Sequence, residues 1–153
     1  MSKGDLTGKM VLVLEDDYLQ ARTIADALLE HGAAIAGPFA TVEEAQQRLN
    51  KGMVDAAVLD VKIGNVTSLP IADRLLCENI PFIFLTGYDR SIIPSSFKCV
   101  PHYLKPFVGA DAPSALILAT MNARVQPSPP RQATGRSHTS RAHPAPDRDR
   151  LQP

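Results

Sequence analysis

The chain has 153 residues, 44% of them hydrophobic and 21% charged, which is enough for one globular domain of ordinary size and leaves little for a second. Lys and Arg together number 16, as do Asp and Glu, but residues 126–153 hold five arginines and two acidic residues, so the body is near −3 and this tail near +3. No stretch approaches the roughly 18 apolar residues that cross a bilayer, and the N-terminus lacks the apolar segment of a secretion signal. We therefore expect a soluble, cytoplasmic protein.

The two cysteines also favour a cytoplasmic protein. Cys77 and Cys99 are too few for a disulfide framework and lack the spacing of metal ligands. We expect them to be buried free thiols in a reducing compartment, without a chemical role.

Five apolar runs alternate with helical patterns along the chain, which indicates a parallel sheet covered by helices. Because the runs are mostly apolar rather than alternating, we expect the strands to be buried on both faces. The first helix, over about 18–31, carries an apolar stripe at helical spacing and ends at Gly32, a typical residue just past a helix end. The strands are predicted at Met10–Leu14, 33–37, 54–59, 82–85 and 99–104.

The second and third helices have recognisable beginnings. Thr41 and Glu44 form a capping box, in which each side chain can accept a hydrogen bond from the other residue's backbone N–H. This helix ends at Gly52, and the third, over about 69–79, has Pro70 in its first turn, where no intrahelical donor is needed. The residues expected to face the core are Val42, Ala45 and Leu49 in the second helix, and Leu69, Ala72 and Leu76 in the third.

The second half of the chain is predicted to be less regular. Residues 89–98 should hold a fourth helix, but Pro94 and two serines interrupt its pattern, so we expect a short or irregular turn. A last helix is expected over 111–124, with Asp111 as its N-cap. From Gln126 onward the apolar period vanishes and six prolines occur among polar residues, a composition that cannot bury enough surface to fold. We therefore predict an N-terminal extension over 1–8, one domain over 9–124, and a disordered Pro/Arg-rich tail over 125–153.

Polar residues follow the predicted strands at their carboxyl ends. In a parallel sheet these ends meet along one edge, which is where such sheets bind ligands. Clustered carboxylates repel one another unless a cation neutralises them, and Mg²⁺, which prefers oxygen ligands and keeps several waters, suits an open site of this kind. The residues at this edge are Glu15 and Asp16 after the first strand, Asp60 after the third, Thr86 after the fourth and Lys105 after the fifth.

Asp60 is the candidate nucleophile of this edge. A carboxylate that attacks phosphorus gives an acyl phosphate. Lys105 would supply positive charge to the phosphoryl oxygens, and the hydroxyl of Thr86 could hydrogen-bond to another of them. Asp17, beside the first acidic pair, is interpreted as the N-cap of the first helix rather than as a metal ligand.

In combination, these residues closely resemble the receiver domain of bacterial two-component response regulators, over about residues 8–124. The resemblance implies a flavodoxin-like (CheY-like) α/β fold, with a five-stranded parallel sheet of order 2-1-3-4-5 and helices on both faces. It implies that a histidine kinase or histidine phosphotransfer protein donates a phosphoryl group to Asp60, and that the chain is no enzyme beyond its own phosphorylation and dephosphorylation. It also implies Mg²⁺ as cofactor, held directly by Asp16, largely through water by Glu15, and by Asp60 and the backbone carbonyl of Lys62.

Thr86 and Lys105 resemble the switch hydroxyl and the phosphate-pairing lysine of that family, but the sequence around them departs from the common pattern. The two lie only 19 positions apart, a few fewer than is typical, and the deficit falls in the predicted fourth helix. His102 occupies the place of the usual switch aromatic, and Tyr103, one residue later, should point to the opposite side of the strand. Gly64 stands where the loop after the phosphoacceptor usually has Pro, which should loosen that loop.

The run FIFLTGY at 82–88 also resembles the FAT GUY subgroup of single-domain receivers, which has an aromatic-Thr-Gly-Tyr signature after the fourth strand. The match is partial, because Leu85 replaces Ala. It implies that Tyr88 rather than Tyr103 reports phosphorylation, so the switch candidates are Thr86, Tyr88 and Tyr103. Members of the subgroup are implicated in stress-signalling phosphorelays.

The sequence leaves two other functions open. One is a degenerate receiver that keeps the fold and acts as an interaction module without phosphorylation. The other, less favoured, is an aspartate-nucleophile phosphohydrolase. Hydrolases of the haloacid dehalogenase type have a second acid two residues after the nucleophile, where this chain has Lys62.

The output of the protein is expected to be protein contact. The arginines of the tail could meet nucleic acid, but no reading helix or aromatic platform accompanies them, and no DNA-binding or other effector domain is recognisable. The sequence leaves open the cognate kinase, the downstream partner and the oligomeric state, a homodimer included.

Overall fold

The computed structural model describes residues 6–87, 90–105 and 111–125, and for residues 90, 111 and 123–125 it describes the backbone alone. No helix in these ranges is long and apolar enough to cross a membrane. Tyr88 and almost all of the predicted tail lie outside the described residues. The elements are β1 Met10–Leu14, α1 Tyr18–Glu30, β2 Ala34–Phe39, α2 Val42–Asn50, β3 Ala56–Asp60, β4 Lys62–Ile63, β5 Val66–Thr67, α3 Leu69–Cys77, β6 Phe82–Thr86, β7 His102–Leu104 and α4 Asp111–Val125.

The main sheet has five parallel strands in the order β2-β1-β3-β6-β7. Since β6 and β7 are the fourth and fifth strands of this sheet, the predicted flavodoxin-like order is confirmed. The central strands β3 and β6 are buried along their whole length, as their apolar runs predict. The short strands β4 and β5 pair with each other as an antiparallel hairpin directly after β3.

The core has two layers, one on each face of the sheet, because successive strand residues point to opposite faces. Leu12, Leu59 and Phe84 face α2 and α3. Val58 and Ile83 face α1 and α4. Burial of each such side chain contributes about 1.5–3 kcal/mol. Leu6, which lies in the segment predicted as an N-terminal extension, is also buried in the second layer.

The ends of α1 and α2 follow the predicted signals. The side chain of Asp17 accepts a hydrogen bond from the N–H of Gln20 at 3.0 Å, which confirms it as the N-cap of α1. The Thr41 hydroxyl likewise accepts from the N–H of Glu44 at 3.3 Å. The return bond differs from the capping-box prediction, since the Glu44 carboxylate accepts from the N–H of Ala40.

Two expectations about burial are wrong. In α3 the buried residues are Ile71, Ala72 and Leu75, whereas Leu76 is 43% exposed. Cys77 and Cys99 are exposed free thiols, because one ends α3 and the other lies in the turn before β7.

The segment between β6 and β7 contains two short 3₁₀ turns, Arg90–Ile92 and Ser95–Phe97, in the part that the structure describes. Pro94 separates them with an extended backbone, φ −58° and ψ 149°. The predicted irregular fourth helix is therefore confirmed. Phe97 anchors the segment, because its buried ring meets the ring of Phe84 edge to face at 5.6 Å.

Candidate functional site

The carboxyl ends of four strands bring the predicted polar residues to one edge of the sheet. Glu15 follows β1 directly, Asp60 ends β3 and Thr86 ends β6. Lys105 follows β7, and its backbone N–H donates to the carbonyl of Thr86 at 2.9 Å, which continues the ladder between the two strands. The edge therefore has the composition that the strand pattern predicts.

Three carboxylates form a cluster there. Glu15, Asp16 and Asp60 each offer an oxygen, and these oxygens all lie within 4.8 Å of one another. Glu15 and Asp60 are buried, with 3% and 8% exposed, whereas Asp16 is exposed, so the cluster opens to solvent on one side. The backbone N–H of Asp17 donates to Oε1 of Glu15 at 3.0 Å and helps to orient that buried carboxylate.

Lys105 connects the two buried acids. Its ammonium donates to Oδ2 of Asp60 at 2.8 Å and also to Oε2 of Glu15. Three carboxylates and one ammonium leave two formal negative charges at the site. One divalent cation would balance them.

Burial and pairing shift the pKa values of this pair. Burial raises the pKa of the Glu15 carboxyl above its ordinary value; the hydrogen bonds from Lys105 and from the Asp17 N–H lower it in part, and the nearby charge of Asp60 raises it again. Burial alone would lower the pKa of Lys105, but its bonds to Asp60 and Glu15 outweigh burial and raise it. Lys105 therefore keeps its positive charge at neutral pH.

The hairpin of β4 and β5 contacts the cluster through its backbone. The N–H of Gly64 donates to Oδ2 of Asp16 at 2.8 Å, and the N–H of Lys62 lies 3.4 Å from Oδ1 of Asp60. The contact of Gly64 with Asp16 joins residues 48 positions apart, and sequence reasoning missed it.

Comparison with known proteins gives the chain a family. The chain is 35% identical to SdrG from Sphingomonas melonis, covering 76% of this chain and 99% of that one, with a TM-score of 0.62. A BeF₃-activated conformation of SdrG matches with 36% identity, 71% and 95% coverage, and a TM-score of 0.60. A CheY-like response regulator receiver domain protein from Methanospirillum hungatei shares the fold at 19% identity, with 76% and 96% coverage and a TM-score of 0.62. This chain belongs to the response regulator receiver family.

The sequence relationship is more distant among curated proteins. The transcriptional regulatory protein PdtaR of Mycobacterium tuberculosis is 25% identical over 120 residues, which are 76% of this chain. The chain spans 58% of the length of PdtaR. No family model matches the chain.

The donor set of this receiver fits the magnesium that its family implies. Three carboxylate oxygens are hard ligands of the kind that Mg²⁺ prefers, and the exposed side of the cluster leaves room for the waters that this ion retains. Asp17 does not belong to the cluster, because its side chain caps α1. The backbone carbonyl of Lys62 stays a predicted ligand.

Two of the switch candidates of the receiver, Thr86 and Tyr103, lie on different faces of the sheet. Thr86 is buried, with 1% exposed, and shares its strand face with Phe84. His102 lies on that same face, with its ring centroid 5.7 Å from that of Phe84. Tyr103 packs instead against the layer of α1 and α4, next to its strand partner Leu85. The prediction that Tyr103 points away from the side of Thr86 is confirmed.

A cavity of about 500 Å³ opens beside the site, between α1 and the end of β6. Leu19 and Thr23 of α1 line it together with Leu85, Gly87 and Lys105. Leu19 and the neighbouring Tyr18 are exposed apolar residues on the same end of α1. The edge of the sheet that carries Asp60 is therefore open toward α1.

Proposed function

We propose that this receiver accepts a phosphoryl group on Asp60 from the phosphohistidine of a histidine kinase or a histidine phosphotransfer protein. The observation that carries this proposal is the ion pair of Lys105 with Asp60 and Glu15, next to a cluster of three carboxylates. A lysine that keeps its positive charge at this position does not serve as an apolar packing residue. It is placed to meet the negative oxygens of a group transferred to Asp60.

The chemistry at Asp60 follows from which of its oxygens is engaged. Lys105 holds Oδ2 at 2.8 Å, whereas the contact that the described residues show for Oδ1 is the longer one of 3.4 Å with the N–H of Lys62. We therefore assign Oδ1 as the attacking atom. It forms a bond to phosphorus as the bond between phosphorus and the histidine nitrogen breaks, and the electron pair of that bond stays with the imidazole.

The neighbouring residues stabilise the transferred group. The Lys105 ammonium and the hydroxyl of Thr86 bind its oxygens. Glu15, Asp16, Asp60 and the carbonyl of Lys62 would hold Mg²⁺, which supplies positive charge to the same oxygens when it is bound. The activated conformation of SdrG supports the proposal, since BeF₃⁻ on a carboxylate oxygen is a tetrahedral mimic of a phosphoryl group and that relative is 36% identical to this chain.

Beyond its own phosphorylation and dephosphorylation, we propose no turnover by this chain. Its output would be a change of protein contact, in the cytoplasm, with Tyr88 rather than Tyr103 as the aromatic that responds, because Tyr103 packs on the opposite face of the sheet from Thr86. The partner protein stays a prediction. Membership of the FAT GUY subgroup, which the run at 82–88 suggests, also stays a prediction.

Phosphorylation by a small donor tests this proposal. The protein is incubated with acetyl phosphate and Mg²⁺, and its intact mass is measured; we expect one phosphoryl adduct on the wild type and none on Asp60→Ala. An adduct that survives in Asp60→Ala, or none on the wild type, would refute the assignment. Unchanged Mg²⁺ binding in Asp16→Ala would favour an inactive interaction module, and steady hydrolysis of small phosphate esters would favour a phosphohydrolase.

A further inference from the structure

The loop that follows Asp60 is an ordered hairpin. Lys62 pairs with Thr67 and Ile63 with Val66, so that Gly64 and Asn65 form a two-residue turn. Gly64 has a φ of +58°, and Asn65 is not among the residues with positive φ. This combination is typical of a type II′ hairpin turn, in which glycine takes the first central position.

The outward N–H groups of this hairpin point toward the acidic cluster. Lys62 lies on β4 and Gly64 begins the turn that follows it, and the backbone N–H of each faces a carboxylate of the cluster. One faces Asp60 at 3.4 Å, and the other donates to Oδ2 of Asp16 at 2.8 Å. The backbone of this hairpin thus contacts two carboxylates of the cluster, those of Asp16 and Asp60.

We propose that the backbone N–H of Gly64 is a positioning group for the metal site, and that it orients Asp16 by holding one carboxylate oxygen while the other is left to bind Mg²⁺. Asp16 is exposed, and its side chain would otherwise turn between rotamers. A charge-assisted hydrogen bond from a fixed backbone removes that freedom before the ion arrives. The inference rests on the proposed function, because it assumes that the cluster binds Mg²⁺.

Glycine is required at this position by its backbone conformation. A Cβ built on Gly64 would meet no atom within 4 Å, so space is not the constraint. The φ of +58° is the constraint, and proline, which fixes φ near −65° and has no N–H, can provide neither the turn nor the donor. The glycine that replaces the family's usual proline therefore supplies a hydrogen bond to a metal ligand.

Three variants distinguish the effect of losing the N–H donor from the effect of distorting the turn. Gly64→Asn and Gly64→Ala strain the turn but keep the N–H, whereas Gly64→Pro strains the turn and also removes the N–H. We expect Gly64→Pro to raise the Mg²⁺ dissociation constant by about 10- to 100-fold, the usual effect of losing a group that orients a metal ligand. The other two should bind Mg²⁺ nearly as the wild type does, even where the melting temperature of the metal-free protein falls.

A Mg²⁺ titration followed by NMR measures the dissociation constant of each variant. Thermal unfolding in a chelator measures the melting temperature of the metal-free protein. Wild-type Mg²⁺ affinity in Gly64→Pro would overturn the proposal, as would equal losses of affinity in all three variants. If Gly64→Pro does not fold, hydrogen exchange of the metal-free protein tests the proposal instead. The amide of Gly64 should be protected in the wild type, and Asp16→Ala should remove that protection. Unchanged protection overturns the proposal. A wild type that binds no Mg²⁺ overturns the proposed function as well, whereas the outcomes above overturn the role of Gly64 alone.

Discussion

The ammonium nitrogen of Lys105 lies 2.8 Å from Oδ2 of Asp60, although the two residues are 45 positions apart in the chain. The same ammonium donates to Glu15, so one positive charge holds two buried acids. This arrangement leaves Oδ1 of Asp60 as the less engaged oxygen, and it places a cation beside the carboxylates that would bind Mg²⁺. In the proposed reaction, Lys105 would therefore compete with the ion and assist the transferred group.

Replacing Lys105 by Met should strengthen Mg²⁺ binding and slow phosphorylation at once. The loss of the ammonium removes repulsion of the ion, and it also removes the charge that meets the phosphoryl oxygens. We expect the Mg²⁺ dissociation constant to fall several-fold and the rate of phosphorylation by acetyl phosphate to fall by about 10²-fold or more. Lys105→Arg keeps the charge and is the matched control, with an Mg²⁺ affinity near that of the wild type. Weaker Mg²⁺ binding in Lys105→Met would contradict this description of the site.

The raised pKa of Glu15 predicts how the stability of the metal-free protein depends on pH. Because the folded-state pKa is raised, the folded protein binds this proton more tightly than the unfolded chain does. The stability contributed by Glu15 is fully present below the ordinary carboxyl value of 4.5, and it is lost as the pH rises through the higher folded value. Glu15→Gln removes this titration, so the variant should gain stability relative to the wild type between acid and neutral pH.

Urea unfolding in a chelator, at a series of pH values, measures that difference. Glu30→Gln, at an exposed position of α1, is the control and should change the free energy of unfolding by no more than about 0.5 kcal/mol at any pH. A stability difference between Glu15→Gln and the wild type that does not change with pH would refute the assignment of the raised pKa.

Phe97 should carry much of the stability of the segment between β6 and β7. Its ring is 2% exposed and packs edge to face on Phe84, in a segment whose described part has only 3₁₀ turns. Phe97→Ala should lower the free energy of unfolding by about 3–5 kcal/mol. Ile92→Ala, at a residue that is 44% exposed in the neighbouring turn, should cost less than about 1 kcal/mol. Denaturant unfolding of both variants makes the comparison, and equal losses would argue against Phe97 as the anchor.

Tyr103 should be dispensable for the response at Thr86. Its side chain packs in the layer of α1 and α4, on the opposite face of the sheet from Thr86. With Mg²⁺ and BeF₃ added, Tyr103→Leu should show the same NMR shifts of the β6 amides as the wild type, whereas Thr86→Val should lose part of them. Loss of these shifts in Tyr103→Leu would show that the tyrosine couples to the site despite its position.

Sequence patterns predicted the parts of the molecule that depend on local order along the chain. Apolar runs that stop on polar residues are enough to place Glu15, Asp60 and Lys105 at one edge, because all parallel strands end there. Pro94 was likewise enough to predict the broken fourth helix, since its backbone cannot continue one.

The wrong predictions of burial, and the hydrogen bond that was not predicted, have a different origin. In α3, two apolar stripes fit helical spacing, and only the packing against the sheet selects Leu75 over Leu76. The exposure of Cys77 follows from that same rotation of the helix and from its place at the helix end. The bond between Gly64 and Asp16 depends on a backbone angle and a long-range approach, and neither leaves a periodic signal in the sequence.

Chemical mapping of the modified residue tests the central claim most directly. The wild type is phosphorylated with acetyl phosphate and Mg²⁺, reduced with borohydride, which converts an aspartyl phosphate to homoserine, and then digested for peptide mass spectrometry. We predict homoserine at position 60 alone, and none when Mg²⁺ is chelated. Homoserine at Asp16 or Asp17, or at no position, would contradict the assignment of Asp60 as the phosphoacceptor.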